Sequence, residues 1–275
     1  MYYNIIMNSF FNTDRNAQAN KTMVVNDNIV NRYCCEFDGT PQYYEGAFAD
    51  SFPFRSDRQW SVSFWINRRQ TSGRATIFDN RQSGTNNNGN LIEFDATSRL
   101  RLVIKDGGSV VIDVETQDGM LGSILWRFIT ITWDGTLPTP VCKMYMNGQE
   151  QQLIINSQNI ANVFTGANND HRYALSVSGT IQFDGMLKDW GVWETTLSQD
   201  QIKYLYNRGI PNNLNATNFS GFLKHWFRFG DGSGGAGSDD NTQIIDVSRE
   251  GIANLAGFGV PAVNCPILAD PMFIA

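Results

Sequence analysis

Residues 179–209 read GTIQFDGMLKDWGVWETTLSQDQIKYLYNRG, and their reading decides the fold. An apolar strand interrupted by Gly185 and Gly191 passes through a tryptophan-bearing edge into one short amphipathic helix. Glycine inside a strand marks a bulge or a bend. Ser198 with Gln201 at the third helical position is a capping-box pattern, and Ile202, Leu205 and Tyr206 share one helical face. Gly209 supplies a left-handed stop and Pro211 denies continuation, so the spacing predicts one closing helix near 198–208. A helix of about ten residues is too short to stand alone in water, so it must dock on whatever the strands build.

Upstream, almost everything reads as short strands separated by turns. The clearest is 59–67, where Trp60, Val62, Phe64 and Ile66 fall on one face and Ser61, Ser63, Trp65 and Asn67 on the other. A row of large apolar groups on one face needs an opposing sheet. Further strands are expected at 32–38, 75–79, 91–94, 99–104, 110–115, 126–134, 141–147, 149–155 and 172–177. Asp106-Gly107-Gly108 and Asn147-Gly148 are hairpin turns, because glycine enters positive φ without a side-chain clash. The runs 83–90 and 156–169 are polar and read as loops. After the helix, 222–229 reads as a strand, 230–241 as a glycine-rich loop and 242–247 as one more pairing segment. The apolar tail, broken by Pro261, Pro266 and Pro271, wraps its own domain or packs on a partner. The expected architecture is all-β: a two-sheet antiparallel jelly-roll sandwich with one short helix. The expected parts are an N-terminal arm over 1–30, the sandwich over 31–210 and a C-terminal extension over 211–275.

Composition narrows the function classes. The 18 Phe, 9 Tyr and 7 Trp in 275 residues supply enough apolar area to exclude disorder of the whole chain. Only 17% of residues are charged and the net charge is −6, so no basic field exists to neutralise phosphates and nucleic-acid binding is not expected. No 18-residue apolar run argues for a membrane span, and MYYNIIMNSFFNTDRN lacks the basic and apolar regions of a secretory leader. Synthesis in a cytoplasm is the expectation. Cys34, Cys35, Cys142 and Cys265 have no metal-ligand spacing; buried free thiols are expected, with a disulfide from Cys34 or Cys35 to Cys142 as the alternative.

These segments together resemble the concanavalin A-like lectin/glucanase superfamily, in its laminin-G-like or pentraxin-like form. The resemblance is carried by Phe37-Asp38-Gly39, by WSVSFWI at 60–66, by WRFITITWDG and KMYMNGQ within 126–149, and by the closing run 183–209. It covers roughly 32–210 and implies two curved antiparallel sheets with the helix packed at the end. The segment HWFRFGDG with IIDVSREGIANL (225–232 and 244–255) is similar to the one that often opens such domains, which implies a second degenerate copy, a permuted strand or an attachment element. In its Asn- and Phe-rich texture and lack of a leader, the chain also resembles structural proteins of tailed phages. That likeness implies a virion decoration or adhesion protein, made in a host cytoplasm and attached through virion neighbours or self-association. Tyr2, Tyr3, Phe10, Phe11, Phe258 and Phe273 are the candidate partner contacts.

The alternative function is a lectin, assisted by calcium or not, that takes a cell-surface glycan. A sugar needs an exposed aromatic face rimmed by amides, for which Trp65, Trp133, Asn87 and Asn88 are the candidates, with plain core packing the competing role of both tryptophans. Calcium prefers loop oxygens, and Asp79, Asp134, Asp170 and Asp184, with Asn80, Asn168 and Asn169, could hold it, unless they are ordinary solvated loop residues. A third reading, glycan hydrolysis, needs two carboxylates across a sugar. Glu93 with Asp95, and Asp113 with Glu115, come nearest, but neither completes the Glu-x-Asp-x-x-Glu run of the superfamily's glucanases, so no catalytic residue is expected. His171 and His225 stand alone and offer no triad and no zinc site.

Overall fold

The computed structural model describes residues 33–46, 54–70, 72–82, 88–119, 125–159, 164, 171–229, 243–244, 246–248, 255–258 and 267–268. Its first half holds strands β1 (Tyr33–Asp38), β2 (Tyr43–Gly46), β3 (Gln59–Arg68), β4 (Ala75–Asp79), β5 (Gly89–Phe94), β6 (Leu100–Asp106), β7 (Ser109–Thr116) and β8 (Arg127–Asp134). Then come β9 (Val141–Met146), β10 (Gln149–Glu150), β11 (Leu153–Gln158), β12 (His171–Tyr173) and β13 (Asp184–Trp193). Helix α1 (Gln199–Tyr206) follows, and β14 (Leu223–Phe227), β15 (Gln243–Ile244), β16 (Leu255–Phe258) and β17 (Ile267–Leu268) complete the described strands. One sheet runs β10-β9-β8-β3-β13-β1-β17, with β14 also on β13; the other runs β11-β7-β6-β5-β4-β12-β2-β16-β15. The strand pairs are antiparallel, which makes the molecule the two-sheet sandwich that the alternation in 59–67 requires.

Period-two alternation explains what each face meets. Trp60, Val62, Phe64 and Ile66 enter the core between the sheets, where Phe64 stacks on Trp190 at 4.4 Å. Trp65 faces the other way, into a second apolar layer with Phe128, Trp193, Ile202, Leu205 and Leu214. That layer is the seat of the helix. Ser61 and Ser63 pin the incoming segment: Ser61 Oγ donates to Thr195 O at 2.7 Å and accepts from Leu197 N at 3.0 Å, while Trp193 Nε1 donates to Ser63 Oγ at 3.1 Å. The capping box at Ser198 and Gln201 is formed in both directions.

Four details differ from the sequence reading. The helix stops earlier than Gly209, because Asn207 already adopts the left-handed conformation at φ 45° and Arg208 follows at 56°. The strand expected over 149–155 is two: β10 pairs with β9, the chain steps across at Gln151 and Gln152, and β11 pairs with β7 in the opposite sheet. Strands also reach into both expected polar loops, β5 from Gly89 and β11 as far as Gln158. In β13 the register shift falls between Lys188 and Gly191, where Asp189 has φ 50°. Gly185 is needed for another reason: at φ 151°, a Cβ there would sit on the Asn67 carbonyl oxygen.

Strands from the C-terminal segment enter both sheets. β14 lies end to end with β1 along one side of β13, β16 pairs with β2, and β17 pairs with β1. Among the described residues no disulfide joins Cys34, Cys35 and Cys142, and burial pushes the Cys142 thiol up to about 12. Cys265 and the N-terminal arm lie outside the described residues, as do the side chain of Phe258 and all of Phe273. No helix among the described residues is long and apolar enough to cross a membrane.

Candidate functional site

A pair of identical tripeptides organises one end of the sandwich. Phe37-Asp38-Gly39 at the end of β1 lies antiparallel to Phe183-Asp184-Gly185 at the start of β13, with Asp38 opposite Asp184 and Phe37 opposite Gly185. Like charges directly opposite across a ladder repel. The two carboxylates are held apart by separate partners. Asp38 turns to its own loop, where Thr40 donates from its hydroxyl at 2.6 Å and its amide at 3.0 Å and holds the carboxyl below its usual range. Asp184 Oδ1 accepts from Arg69 Nε at 2.7 Å, and Arg69 also binds Glu36 and the Phe37 carbonyl oxygen.

Three loops meet over this pair and enclose an open cleft of about 580 Å³. Gly39 comes from the loop after β1, Gln70 and Arg74 from the β3–β4 connection, and Thr180, Ile181 and Gln182 from the segment before β13, with Asp184 beside them. Each loop is locally fixed. Gly39 has φ 79°, and a Cβ there would touch the Asp184 side chain. Ser176 Oγ accepts from the amides of Thr180 at 3.3 Å and Ile181 at 3.1 Å, and a hydroxyl chain runs through Ser178 to Thr180. Arg74 is anchored on the outer face of the second sheet, where its Nε and Nη2 donate to the wholly buried Glu93 at 2.7–3.2 Å. Arg101 Nη1 also donates to Glu93, at 3.1 Å, and its Nε and Nη2 hold Asp113.

What remains unspent defines the chemistry. Among the described residues, the side-chain amides of Gln70 and Gln182, Arg74 Nη1 and Asp184 Oδ2 have no hydrogen-bond partner, and all four belong to the cleft lining. Three donate and three accept, since each amide does both. That mixture matches groups which also donate and accept, and hydroxyls do so at every oxygen.

Of the residues proposed from sequence as sugar contacts, those described lie elsewhere. Trp133 is fully buried between the sheets, its Nε1 donating to Ser56 O at 3.0 Å. Trp65 is only 3% exposed and lies under the helix, 5.9 Å from the Tyr206 ring. Neither offers a face to a sugar: alternation places Trp65 on the outer side of its sheet, but the helix covers that side. Asn88 Oδ1 accepts from Gly108 N at 3.3 Å, and Asn87 lies outside the described residues.

Among the described residues, the acidic candidates Asp79, Asp134 and Asp184 have separate partners. Asp79, fully buried, accepts from Arg81 Nε, Nη2 and N and from Val177 N, which spends both oxygens. Asp134 is bound by Thr136 and Gln59, whose bonds keep its carboxyl below the usual range against the opposing pull of burial. Asp184 belongs to the cleft, at the start of β13. Among the described residues no three of His, Cys, Asp and Glu gather as metal ligands. Asn168, Asn169 and Asp170 lie outside the described residues. Glu93, Asp113 and Glu115 are all paired with arginines, and Asp95 is bound into its own turn by Thr97 and Arg99 N.

Gln70, Arg74, Thr180 and Gln182 were not legible as a site, because single polar loop residues carry no periodic signal. The repeated Phe-Asp-Gly was the available clue. Two copies at either end of a sandwich sequence mark strands that can meet, and the cleft forms where they do.

Comparison with known proteins adds the following. A laminin-G-type family model, described as Concanavalin A-like lectin/glucanases superfamily, matches residues 38–203. Curated protein sequences give no match. Among solved structures, a Bacteroides ovatus protein with a provisional carbohydrate-binding assignment superposes with a TM-score of 0.59 at 16% identity. The match covers 87% of this chain, which spans 62% of that protein's length. The carbohydrate-binding domain of a Ruminococcus gnavus sialidase, bound to α2,3-sialyllactose, gives 0.48 at 12% identity over 63% of this chain and 96% of that one. Domain 4 of a Geobacillus stearothermophilus extracellular arabinanase, in complex with arabinotriose, gives 0.45 at 18% identity over 63% and 76%.

Proposed function

The chain belongs to the Concanavalin A-like lectin/glucanases superfamily, and from that premise we propose that it is a non-catalytic carbohydrate-binding module reading glycans in the end cleft. The observation that carries this is the set of unspent donors and acceptors at Gln70, Arg74, Gln182 and Asp184, converging from three loops on a rigid sheet end. A cleft of about 580 Å³ lies within the ~300–1,000 Å³ typical of small-molecule sites. Vicinal sugar hydroxyls present alternating donors and acceptors, which planar amides and a carboxylate can match in pairs. Among the described residues the cleft lining holds no aromatic platform, so affinity rests on hydrogen bonds in competition with water, and single-site binding is weak. The superfamily and the provisional carbohydrate-binding assignment of the Bacteroides ovatus neighbour favour this reading over the virion role, which none of the neighbours named above supports.

A glycan array probed with the intact chain, with calcium and with a chelator, tests the proposal. The expected result is a defined set of glycans that persists under chelation and is lost in Gln182→Ala and Gln70→Ala, both folded. A silent array, or binding that survives both substitutions, refutes the assignment to this cleft.

A further inference from the structure

The charges around the cleft are distributed in a way that selects among glycans, and this inference rests on the reading above. We infer that the cleft takes neutral, hydroxyl-rich sugars and turns away sugars that carry a carboxylate.

Among the described residues, Arg74 lines the cleft and Arg69 binds its Asp184, and both are already committed. Arg69 is shared between Asp184, Glu36 and the Phe37 carbonyl oxygen. Arg74 gives both its Nε and its Nη2 to Glu93, so the side-on edge of the guanidinium, one of the two that can grip a carboxylate with parallel bonds, is occupied. Only Nη1 remains, which makes single-ended contacts of the kind a hydroxyl or ring oxygen satisfies. Three carboxylates, Glu36, Glu93 and Asp184, face these two arginines, and the third arginine that touches Glu93 is itself held by Asp113. The neighbourhood is therefore not positive.

Asp184 sharpens the selection. Its Oδ2 has no partner among the described residues, and its side chain is 34% exposed at the cleft. An ionised Oδ2 can only accept, so its complement must donate. A sugar hydroxyl donates. A sugar carboxylate at neutral pH cannot, and placed there it adds a like charge at close range.

The test uses matched glycosides that differ at one carbon: methyl galactoside against methyl galacturonoside, with the gluco and manno pairs beside them. Titration of the intact chain, followed by NMR shifts or calorimetry, is expected to show neutral members binding at least about tenfold more tightly than their acids at low salt. The gap should narrow as added salt screens the repulsion. Asp184→Asn, which keeps the shape and removes the charge, should narrow it at low salt, while Gln182→Ala should weaken both members alike. Acids that bind as tightly as neutral sugars, or a gap that neither salt nor Asp184→Asn alters, would overturn this inference and leave the carbohydrate-binding reading standing. Absence of binding by all pairs, together with a silent array, overturns both.

Discussion

Asp38 and Asp184 are direct cross-strand neighbours, one from each copy of the same tripeptide, and Arg69 is the residue that makes their juxtaposition tolerable. Arg69 ties together Glu36 on β1, Asp184 on β13 and the main chain at Phe37, and these bonds raise its pKa although burial opposes them. Arg69→Met keeps much of the apolar stem and removes the charge. The expected outcome is a loss of about 1–3 kcal/mol in denaturant unfolding, with the effect held near the lower end by the partial exposure of the group. Because the loss is like-charge repulsion, it should shrink as added salt screens the charges. A variant equally stable at pH 7 would show that Glu36 and Asp184 do not need a common counter-ion.

The helix is held by burial more than by its own turns. Trp65 contacts Phe128 at 5.0 Å and Tyr206 at 5.9 Å within the outer apolar layer. Trp65→Ala should cost about 3–5 kcal/mol, the usual range for emptying a large buried aromatic site. Ser198→Ala, which removes the cap and leaves the layer intact, should cost only ~1 kcal/mol. Chemical denaturation of the two variants side by side decides the point; equal losses would refute this division of labour.

Burial of His171 predicts an acid-sensitive limb. Burial, with a smaller contribution from His225, drives its pKa from an ordinary 6.5 to about 3. Between those values the unfolded chain holds a proton that the folded chain does not. Stability is therefore complete above pH 6.5 and falls as pH drops below it, by up to about 1.4 kcal/mol per unit. In His171→Phe, where the new ring can still stack on Phe78, unfolding midpoints should vary less between pH 6.5 and 4 than in the parent. An unchanged acid limb would assign it to other groups. Asp246 adds a separate loss at lower pH. Burial pushes its carboxyl up, but bonds from His225, Trp226 N and Ser248 N outweigh it and leave the net value below 3.8. Its contribution is present above that ordinary value and disappears as pH falls through the folded one.

Two glycines separate conformational cost from collision. Gly107 has φ 55° and open space around it, so Gly107→Ala should cost about 1 kcal/mol. Gly185 combines φ 151° with the Asn67 carbonyl oxygen in the path of any Cβ, so Gly185→Ala should cost several-fold more and loosen the β3–β13 pairing. Comparable melting temperatures for the two would contradict the packing described for Gly185.

What sequence could show followed the range of the forces involved. The alternation in 59–67 encodes which side of β3 each residue takes, and the Ser198–Gln201 box encodes where the helix begins, because both are set by near neighbours. What covers the outer side is a long-range matter, so Trp65 read equally well as a sugar platform and as a buried side chain. The step from β10 to β11 was invisible for a related reason: Gln149-Glu150-Gln151-Gln152 is polar throughout and gives no period to break. The cleft needed Gly39, Gln70 and Gln182 to meet from three distant loops, and only the duplicated Phe-Asp-Gly hinted at that meeting.

The pairing of β16 with β2 and of β17 with β1 bears on how the molecule is made. As the chain is made, β1 and β2 emerge well before β16 and β17, so each has one margin unfilled until its later partner arrives. Such distant contacts pay their loop-closure entropy before they return any energy, so assembly is slow and the waiting margins are the place where a newborn chain can stick to others. Chaperone demand, and a yield that drops when β16 and β17 are deleted, are the expected costs of closing early strands with late ones.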